Sequence, residues 1–408
     1  MRQGLALSGI VLSLVAAAPS PSAGSPREVE LGLENFAYAT AETPLNRQNV
    51  LGLNDPEDLL RLAGGWKESI GGLRLVVRGY VQRDLSAGGA TTWTARQAYL
   101  QYGWGSTLQV RLGKQRIAWG SGFAWNPTNR LEPPKNAFNT GLEQEGSLAA
   151  RLDWIPSSRA GVILIATRAE AAGADLPLET HSLTRTSGSG RLRLLVKDTD
   201  LALVVTAGKN QRTLLGFDAA RDIGAQVTAH AEGAFYRGAE LQPPRNGQVF
   251  FRVAAGLLRS RDTTSLSLEY FYNGEGYGDT ATRAYLAGLD ILYAGATDPS
   301  LPPAAREEAL GRYLAGASVP YSGGLGLRRH YLQASWVRSE IRGKWSLSAQ
   351  GLFALSDGGL ALTPGVSFAP RGNVTLQLDG IVLLGPADSE YRLAPVRGAL
   401  QSRVKVLF

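Results

Sequence analysis

The last nine residues of the chain, 400–408, read LQSRVKVLF and alternate in polarity. Counting back from the end, Phe408, Val406 and Val404 share one face, and the basic residues share the opposite face. Such period-two alternation predicts a strand with two chemically different faces. The pattern suits a barrel with lipid outside and water inside, so we expect these three residues on the strand that closes the barrel. A soluble antiparallel sheet is the alternative.

The first residues of the chain predict export. A positively charged start precedes a fourteen-residue apolar run from Leu5 to Ala18, and small residues follow this run. The pattern is that of a secretory signal peptide, which is too short for a spanning helix. We therefore expect a signal peptide at 1–23 and one barrel domain at 24–408, with strands as the segments that cross the membrane.

The composition limits the classes of protein to which the chain can belong. The 408 residues include no cysteine, so neither disulfides nor thiolate metal sites are expected. A formal net charge of +7, without basic runs that interleave with aromatic residues, argues against nucleic-acid binding. An apolar fraction of 44% is compatible with a membrane barrel, because only alternate strand residues face lipid.

Segments with period-two alternation follow one another along the whole chain. The predicted strands are 29–40, 58–68, 71–85, 92–104, 106–118, 144–155, 159–169, 189–197, 199–208, 211–219, 222–236, 247–258, 263–272, 326–338, 342–354, 358–369, 373–384 and 398–408. The expected fold class is therefore all-β, a single transmembrane antiparallel β-barrel of eighteen strands, an even number as in bacterial single-chain barrels. Sixteen strands is the alternative, if residues 29–68 form a plug or a periplasmic segment.

The connections between these strands are sorted by length. After the second strand every other connection is short, as at Gly105, and the intervening set contains the long ones, including 119–143 and 273–325. This pattern predicts long extracellular loops and short periplasmic turns. Within the longest loop, residues 300–316 carry the signals of a short helix.

Charged side chains on the face opposite the apolar one are expected to point into the lumen. An arginine on the lipid side near the membrane midplane would cost ~2–4 kcal/mol. The predicted pore-lining residues are Arg61, Arg74, Arg78, Arg111, Arg151, Arg193, Arg252, Asp218, Glu232, Glu269 and Asp379. Most of the arginines come from strands two to eight and most of the acids from strands ten to seventeen. One interpretation is a transverse electric field across the pore, and the alternative is pairing of charges between neighbouring strands.

The densest motif in the chain follows the fifth predicted strand. Residues 113–134 read GKQRIAWGSGFAWNPTNRLEPP, and their prolines and asparagines favour one fixed loop conformation. This segment resembles the strand, WG and NPT segment of poorly characterised outer-membrane barrels related to the alginate-export porin family. The last strand resembles the closing strand of bacterial outer-membrane barrels, where a final phenylalanine is usual.

These resemblances imply a porin in the outer membrane of a Gram-negative bacterium, with loops that fold inwards and narrow the pore. The implied constriction residues are Arg116, Trp119, Trp125, Asn126 and Arg130, and a well-packed extracellular loop is the alternative. The implied partners are outer-membrane lipid, the barrel-assembly machinery through the last strand, and a small solute. The sequence does not indicate an oligomeric state.

Two functional hypotheses follow. The first is a channel for passive or substrate-selective passage of small polar or anionic solutes through an arginine-lined lumen. With Glu30, Glu34 and Asp153 included, the inward charges number seven basic and seven acidic, whereas an alginate exporter would be expected to have a predominantly cationic lumen. The second hypothesis is a non-conducting barrel that acts in surface adhesion or assembly through the 273–325 loop.

An enzyme is not expected. The three histidines, His181, His230 and His330, show no catalytic spacing with a nucleophile. No glycine-rich phosphate loop follows a strand and opens a helix. We therefore expect no catalytic residues, no cofactor and no metal site.

Overall fold

The computed structural model describes residues 27–51, 57–85, 89–131, 145–170, 184–209, 211–238, 247–318, 320 and 326–408. The expected signal peptide, 1–23, lies outside these residues. The strands are β1 (Arg27–Thr40), β2 (Glu57–Ile70), β3 (Leu73–Asp84), β4 (Thr91–Trp104), β5 (Leu108–Gln115), β6 (Ser147–Ser157), β7 (Ala160–Glu170), β8 (Thr184–Val196), β9 (Thr199–Lys209), β10 (Gln211–Ile223), β11 (Val227–Arg237), β12 (Val249–Arg261), β13 (Thr264–Asn273), β14 (His330–Ile341), β15 (Trp345–Ala354), β16 (Gly359–Arg371), β17 (Val374–Leu384) and β18 (Val396–Leu407).

The eighteen strands form one closed antiparallel barrel. Each strand pairs with its neighbours in sequence, and β18 pairs with β1. In the closing register Val404 lies opposite Leu33, and the Phe408 amide donates a 2.9 Å hydrogen bond to the Val29 carbonyl. The predicted eighteen-stranded barrel is confirmed, and the sixteen-stranded alternative is wrong because β1 and β2 both belong to the wall. Closure of the barrel pairs the backbone N–H and C=O groups of the edge strands, which a bilayer could not hydrogen-bond.

Side chains alternate between an outer and an inner face along the strands. On β9, Leu201, Leu203 and Val205 are exposed, whereas Ala202 and Val204 between them are buried. The exposed set is apolar because lipid, not protein, covers the outer face of such a barrel. The buried set points inwards and is covered by parts of the chain that fold into the barrel.

The two ends of the barrel differ in the length of their connections. At the short-turn end, where β1 begins and β18 ends, strands are joined by turns such as 224–226. At the opposite end, the long-loop end, the connections include 116–146 and 274–329. The turn expected at 220–221 instead lies at 224–226, where Gly224 has a φ of 70°. Glycine adopts this left-handed conformation without the steric cost that other residues have.

Helices occur only in the connections at the long-loop end, as far as the structure describes the chain. The longest connection contains α1 (Asp279–Thr297) and α2 (Pro303–Ser318), and α3 (Glu390–Leu393) lies between β17 and β18. A short 3-10 turn spans Arg47–Asn49. α2 agrees with the helix expected at 300–316, whereas α1 is an additional element within a segment that the sequence predicts to be loop. Among the described helices, none has the length and apolar character needed to cross a bilayer.

The hairpin of α1 and α2 packs on neighbouring connections. Leu289 and Tyr313 are buried in a cluster with Leu45 of the β1–β2 connection and with Leu393 of α3. The Tyr313 hydroxyl accepts a hydrogen bond from the Arg47 amide and donates one to the Pro44 carbonyl, both 3.0 Å long. The hairpin therefore reaches from β13 and β14 across the long-loop end to β1 and β2.

Candidate functional site

The connection after β5 folds into the barrel and contacts distant parts of the inner wall. β5 ends at Gln115, three residues earlier than predicted, so most of the dense sequence motif belongs to the loop. We call residues 116–131 the lumen loop. Its first part, with Ile117 and Trp119, is buried against inward side chains of β6 and β7, Ala149 and Ile165. The loop then continues to β11, β13 and β14.

Glu232 on β11 binds two parts of the lumen loop. Its carboxylate accepts hydrogen bonds from the backbone N–H groups of Ser121 (3.0 Å), Gly122 (3.2 Å) and Thr128 (2.7 Å), and from the Thr128 hydroxyl (2.6 Å). Gly120 has a φ of 90°, and a Cβ there would lie 2.6 Å from Oε2 of Glu232. Glycine at this position therefore allows both the turn and the close approach of the carboxylate.

Glu269 on β13 binds the intervening part of the loop. Its carboxylate accepts backbone N–H hydrogen bonds from Phe123 (2.5 Å), Ala124 (3.0 Å) and Trp125 (3.0 Å), and it contacts Nε2 of His230 at 2.8 Å. Three N–H groups on each of two buried carboxylates therefore hold the loop backbone in one conformation.

Aromatic contacts fix the same segment against the wall. Trp125 stacks on Phe271 of β13, with ring centroids 4.8 Å apart, and lies 5.9 Å from the ring of Tyr331 on β14. Phe123 meets the ring of His230 edge to face at 4.4 Å. Such pairs contribute about 0.5–1.5 kcal/mol each beyond the burial of their area. The lumen loop is thus attached to the wall by polar and aromatic contacts together.

Asparagine side chains brace the loop internally. The Trp119 indole N–H donates to Oδ1 of Asn129 (3.1 Å), whose side-chain amide donates to the Ile117 carbonyl (2.9 Å). The side-chain amide of Asn126 donates to the Trp119 carbonyl at 3.1 Å. These bonds give a physical reason for the asparagines and tryptophans of the motif, which close the loop on itself.

The five predicted constriction residues lie in this loop but have different surroundings. Trp119 and Trp125 are buried, and with Asn126 they maintain the loop and its contact with the wall. Arg116 and Arg130 are half-buried, and the Arg130 guanidinium lies 5.8 Å from the ring centre of Tyr236, a residue of β11. The structure sets the loop inside the barrel. That these residues narrow a conducting pore stays a prediction.

On the opposite wall, β1 to β3 and β18 carry a network around Arg61. Its guanidinium contacts Glu34 (3.0 Å) and Gln82 (2.6 and 3.1 Å), and Arg403 of β18 contacts the same Glu34 oxygen at 3.1 Å. Arg61 also lies over the ring of Tyr80, 4.7 Å from its centre. One carboxylate of β1 therefore bridges two guanidinium groups on the strands that flank it, β2 and β18.

The other predicted pore-lining residues of this side have the inward register. Arg74 and Arg111 lie opposite the same residue of β4, Gln101, and the Arg111 guanidinium lies 4.9 Å from the ring centre of Tyr99. Arg78 lies opposite Gly65 and Gln97. On β17, which pairs with β18, Asp379 accepts a 2.7 Å hydrogen bond from the side-chain amide of Gln377.

Three arginines of β6 and β8 line a cavity of about 410 Å³ near the short-turn end. Arg151 pairs with Asp153 at 2.8 Å, and Arg191 pairs with Asp218 at 2.6 Å. Arg193 pairs with an aspartate of β9. Charges here pair within a strand or with a nearby strand, as the second interpretation of the sequence describes, whereas the transverse field of the first interpretation stays a prediction.

Glu232, Glu269 and Arg252 differ from the expectation that they line an open pore. They are inward-facing, but each is 1% exposed or less, because the lumen loop and the turn after β13 cover that part of the wall. The Arg252 guanidinium contacts Glu275 of this turn at 2.6 Å and Asn273 at 3.2 Å. In the described ranges, no group of three or more acidic or histidine side chains is arranged to hold a metal ion.

Arg191 and Arg96 are arginines of the inner wall that the sequence analysis did not list. Arg191 shares the parity of Arg193, which could have identified it. Arg96 has no such signal, because strict alternation from the exposed Leu100 would set it on the lipid face. A β-bulge in β4 changes this register, and no local sequence feature marks the bulge.

A second buried network ties the connections at the long-loop end. The Arg328 guanidinium contacts Asp357 (2.7 Å), the Thr282 hydroxyl (2.7 Å) and Asp279 (3.2 Å). Asp357 lies between β15 and β16, whereas Thr282 and Asp279 belong to the first turns of α1. One buried arginine therefore holds the start of the helical hairpin to the barrel rim.

Glu390 of α3 belongs to the same network. Its carboxylate accepts hydrogen bonds from the amides of Leu327 (2.9 Å) and Arg328 (3.2 Å) and from the Tyr331 hydroxyl (2.5 Å). Burial, with a contribution from the nearby charge of Asp357, raises the pKa of Glu390 to about 7. Tyr331 also contacts Trp125, so this network adjoins the lumen loop.

Comparison with known proteins identifies the fold. No protein-family model matches the chain, and no curated protein matches it. Among solved structures, the outer membrane protein OprD from Pseudomonas aeruginosa has a TM-score of 0.55 at 8% identity, covering 94% of each chain. OccK11 (OpdR) from the same organism has a TM-score of 0.54 at 12% identity, covering 94% of this chain and 95% of that one. For OccAB2 from Acinetobacter baumannii the values are 0.53, 8%, 94% and 98%.

At these identities the similarity extends over nearly the whole length of the chains but shows the fold alone. The relation to alginate-export porins that the sequence motif implies is not among these findings. The comparisons and the strand pairing lead to the same conclusion: the chain folds as the closed eighteen-stranded antiparallel barrel of OprD-like outer-membrane porins.

Proposed function

We propose that the protein is a substrate-selective channel of the outer membrane that passes small polar or anionic solutes. One observation carries the proposal. The lumen loop is fixed to the inner faces of β11, β13 and β14, while Arg61, Arg74, Arg78 and Arg111 lie on the inner faces of β2, β3 and β5. A path along this arginine-bearing wall would be bounded on its other side by the loop.

The fixed conformation of the loop supports selectivity by size. A loop whose backbone is held by two carboxylates presents one stable boundary, and a pore bounded in this way discriminates by diameter and by the charge of its lining. Inward arginines attract anions, and the low-dielectric wall of a narrow lumen strengthens that attraction. Small solutes with an anionic group therefore fit this arrangement better than neutral apolar ones.

The charge pairing bears on the size of the solute. Several arginines are already paired with protein carboxylates, as Arg151 is with Asp153 and Arg191 with Asp218. These paired arginines do not favour a long polyanion, which would need an uninterrupted cationic path. For this reason the proposal is a small-solute channel, although the sequence motif resembles alginate-export barrels.

The proposed location and partners follow from the barrel. The exposed apolar outer face would contact outer-membrane lipid, and the terminal strand, with Val404, Val406 and Phe408, would be recognised by the barrel-assembly machinery. We propose no oligomeric state, no cofactor and no nucleic-acid partner. The helical hairpin is folded on to neighbouring connections, and no contact of it specifically favours the alternative role in adhesion.

The test is electrical. The purified, refolded barrel is inserted into planar bilayers, and single-channel currents are recorded in a KCl gradient. We expect stepwise increases in conductance. The reversal potential should be displaced from zero towards the equilibrium potential of chloride. Silence from barrels that are demonstrably folded would overturn the channel proposal and would support the non-conducting alternative. A conductance with cation selectivity would retain the channel but overturn its anionic solute class.

A further inference from the structure

A β-bulge in β4 changes the direction of one arginine. The register sets Arg78 opposite Gln97 and Gly79 opposite Ala95, so Arg96 is the extra residue on β4. The bulge is held in place from a second side, since the amide of Gly146 donates a 3.0 Å hydrogen bond to the Arg96 carbonyl. Bulges of this kind re-aim a side chain and recur next to functional sites.

The re-aimed side chain lies inside the barrel. The Arg96 guanidinium is 4.8 Å from the ring centre of Tyr80, and that of Arg61 is 4.7 Å from the same ring. Successive residues of a strand point to opposite faces, and Val81 is exposed on the outer face, so its neighbour Tyr80 points inwards. Two guanidinium groups thus share one tyrosine ring, and cation–π attraction at partly exposed sites contributes about 0.5–1 kcal/mol for each.

This arrangement occurs at the level of the lumen loop. Lys114, next to the last residue of β5, lies opposite Ala98, so Arg96 is level with the point where the lumen loop begins. The contacts of the lumen loop cover inward side chains of β6, β7, β11, β13 and β14. The wall that faces the loop at this level therefore includes β2 to β4, with Arg61, Tyr80 and Arg96.

We propose that Arg96 is a specificity-determining residue of the pore and that Tyr80 is its positioning residue. The bulge adds one positive charge to the wall where the lumen loop narrows the path, and the tyrosine ring keeps that charge at a fixed place. Anions are favoured over cations at this point. The inference rests on the proposed channel function and deepens it by assigning the selectivity to one position.

The experiment measures reversal potentials in a KCl gradient for the full mature chain and four variants. Arg96→Gln removes the charge, Tyr80→Leu removes the ring, and Tyr80→Phe keeps the ring. Arg159→Gln removes an exposed arginine from the turn between β6 and β7 and serves as the matched control. Before these measurements, each variant is shown to be folded by its resistance to unfolding in detergent.

Arg96→Gln is expected to lower the chloride-to-potassium permeability ratio by about two-fold or more, because it removes a charge from the narrow part of the path. Tyr80→Leu is expected to lower it by a smaller factor, whereas Tyr80→Phe and Arg159→Gln leave it unchanged. If a conducting wild type and Arg96→Gln have the same ratio, this inference is wrong and the channel stands. If Tyr80→Phe behaves as Tyr80→Leu, the positioning role is wrong. A folded but silent wild type overturns the channel and this inference together.

Discussion

Trp125 of the lumen loop stacks on Phe271 of β13, with ring centroids 4.8 Å apart and ring planes 12° from parallel. The loop leaves the wall at β5, and β13 lies eight strands further around a sheet of eighteen. The contact therefore joins nearly opposite sides of the barrel. Glu269, two residues before Phe271, binds backbone N–H groups of the same loop segment. The loop is a fixed crossing of the lumen, and its anchor residues can be tested one at a time.

Replacement of Glu269 by glutamine is expected to loosen the lumen loop. An amide has one acceptor oxygen in place of two, so it cannot accept the hydrogen bonds of Phe123, Ala124 and Trp125 together. Each buried N–H group that loses its partner costs about 1–3 kcal/mol. We expect a larger and noisier single-channel conductance for Glu269→Gln in planar bilayers.

The matched control is Glu307→Gln, which makes the same chemical change on the exposed surface of α2. Its conductance and noise are expected to equal those of the wild type. If Glu269→Gln also equals the wild type, the carboxylate does not restrain the loop in the way that its hydrogen bonds indicate.

The barrel was predictable because lipid imposes a simple rule on the sequence. Each strand must present apolar residues at alternate positions, and β9 shows this directly in Leu201, Leu203 and Val205. The rule applies at every strand, so the number of strands and the strand order followed from counting. Turn positions do not follow from this rule, since a tight turn such as that at Gly224 depends on one backbone conformation.

The candidate site was predictable only in part, because alternation gives the face of a residue and not what covers it. Glu232 and Glu269 were correctly set on the inner face, but the sequence does not show that a loop from β5 would bury them. The motif at 113–134 indicated a fixed loop. Its partners on β11, β13 and β14 could not be predicted, since these strands lie more than a hundred residues further along the chain.

The two faces of β17 should respond differently to an added charge, which is a second prediction. Leu378 is exposed on the outer face, and its neighbour Gln377 points inwards and donates a hydrogen bond to Asp379. Leu378→Arg sets a charge in lipid and is expected to lower the free energy of unfolding by ~2–4 kcal/mol. Gln377→Arg sets the same charge beside Asp379 and is expected to change it by less than about 1 kcal/mol.

Urea unfolding of the refolded barrel in lipid vesicles, followed by tryptophan fluorescence, measures both variants. Equal destabilisation by the two arginines would contradict the assignment of faces on this strand. A larger loss for Gln377→Arg would indicate that the inner face is packed here and does not border water.

Arg328 is expected to be the main attachment of the helical hairpin to the rim. Arg328→Ala leaves the buried carboxylate of Asp357 without its arginine, which typically costs on the order of 3–5 kcal/mol. Arg312→Ala removes an exposed partner of Glu308 on α2 and is expected to cost about 0–1 kcal/mol. Limited proteolysis of the folded barrel should therefore cleave within α1 and α2 faster in Arg328→Ala only. Equal cleavage of the two variants would show that the hydrophobic cluster around Tyr313 holds the hairpin without Arg328.

Glu390 makes the stability of the long-loop end depend on pH. Its pKa in the folded protein is about 7, above the ordinary value of 4.5, because burial disfavours the charged carboxylate. The folded state therefore binds this proton more tightly than the unfolded state does, and the resulting stability is fully present below pH 4.5 and is lost as the pH rises through about 7. At about 1.4 kcal/mol for each pKa unit, the loss is on the order of 3 kcal/mol.

Hydrogen exchange of residues 326–331 and 390–393, measured at pH 5 and pH 8 and corrected for the intrinsic rate, should show weaker protection at the higher pH. Glu390→Gln cannot ionise, so its protection is expected to be nearly independent of pH, although its single acceptor oxygen lowers protection at pH 5. The Tyr331 hydroxyl bonds to Glu390 and the Tyr331 ring contacts Trp125, so the lumen loop should respond in the same direction but more weakly. Protection that rises with pH in the wild type, or an equal pH dependence in Glu390→Gln, would show that another group controls this region.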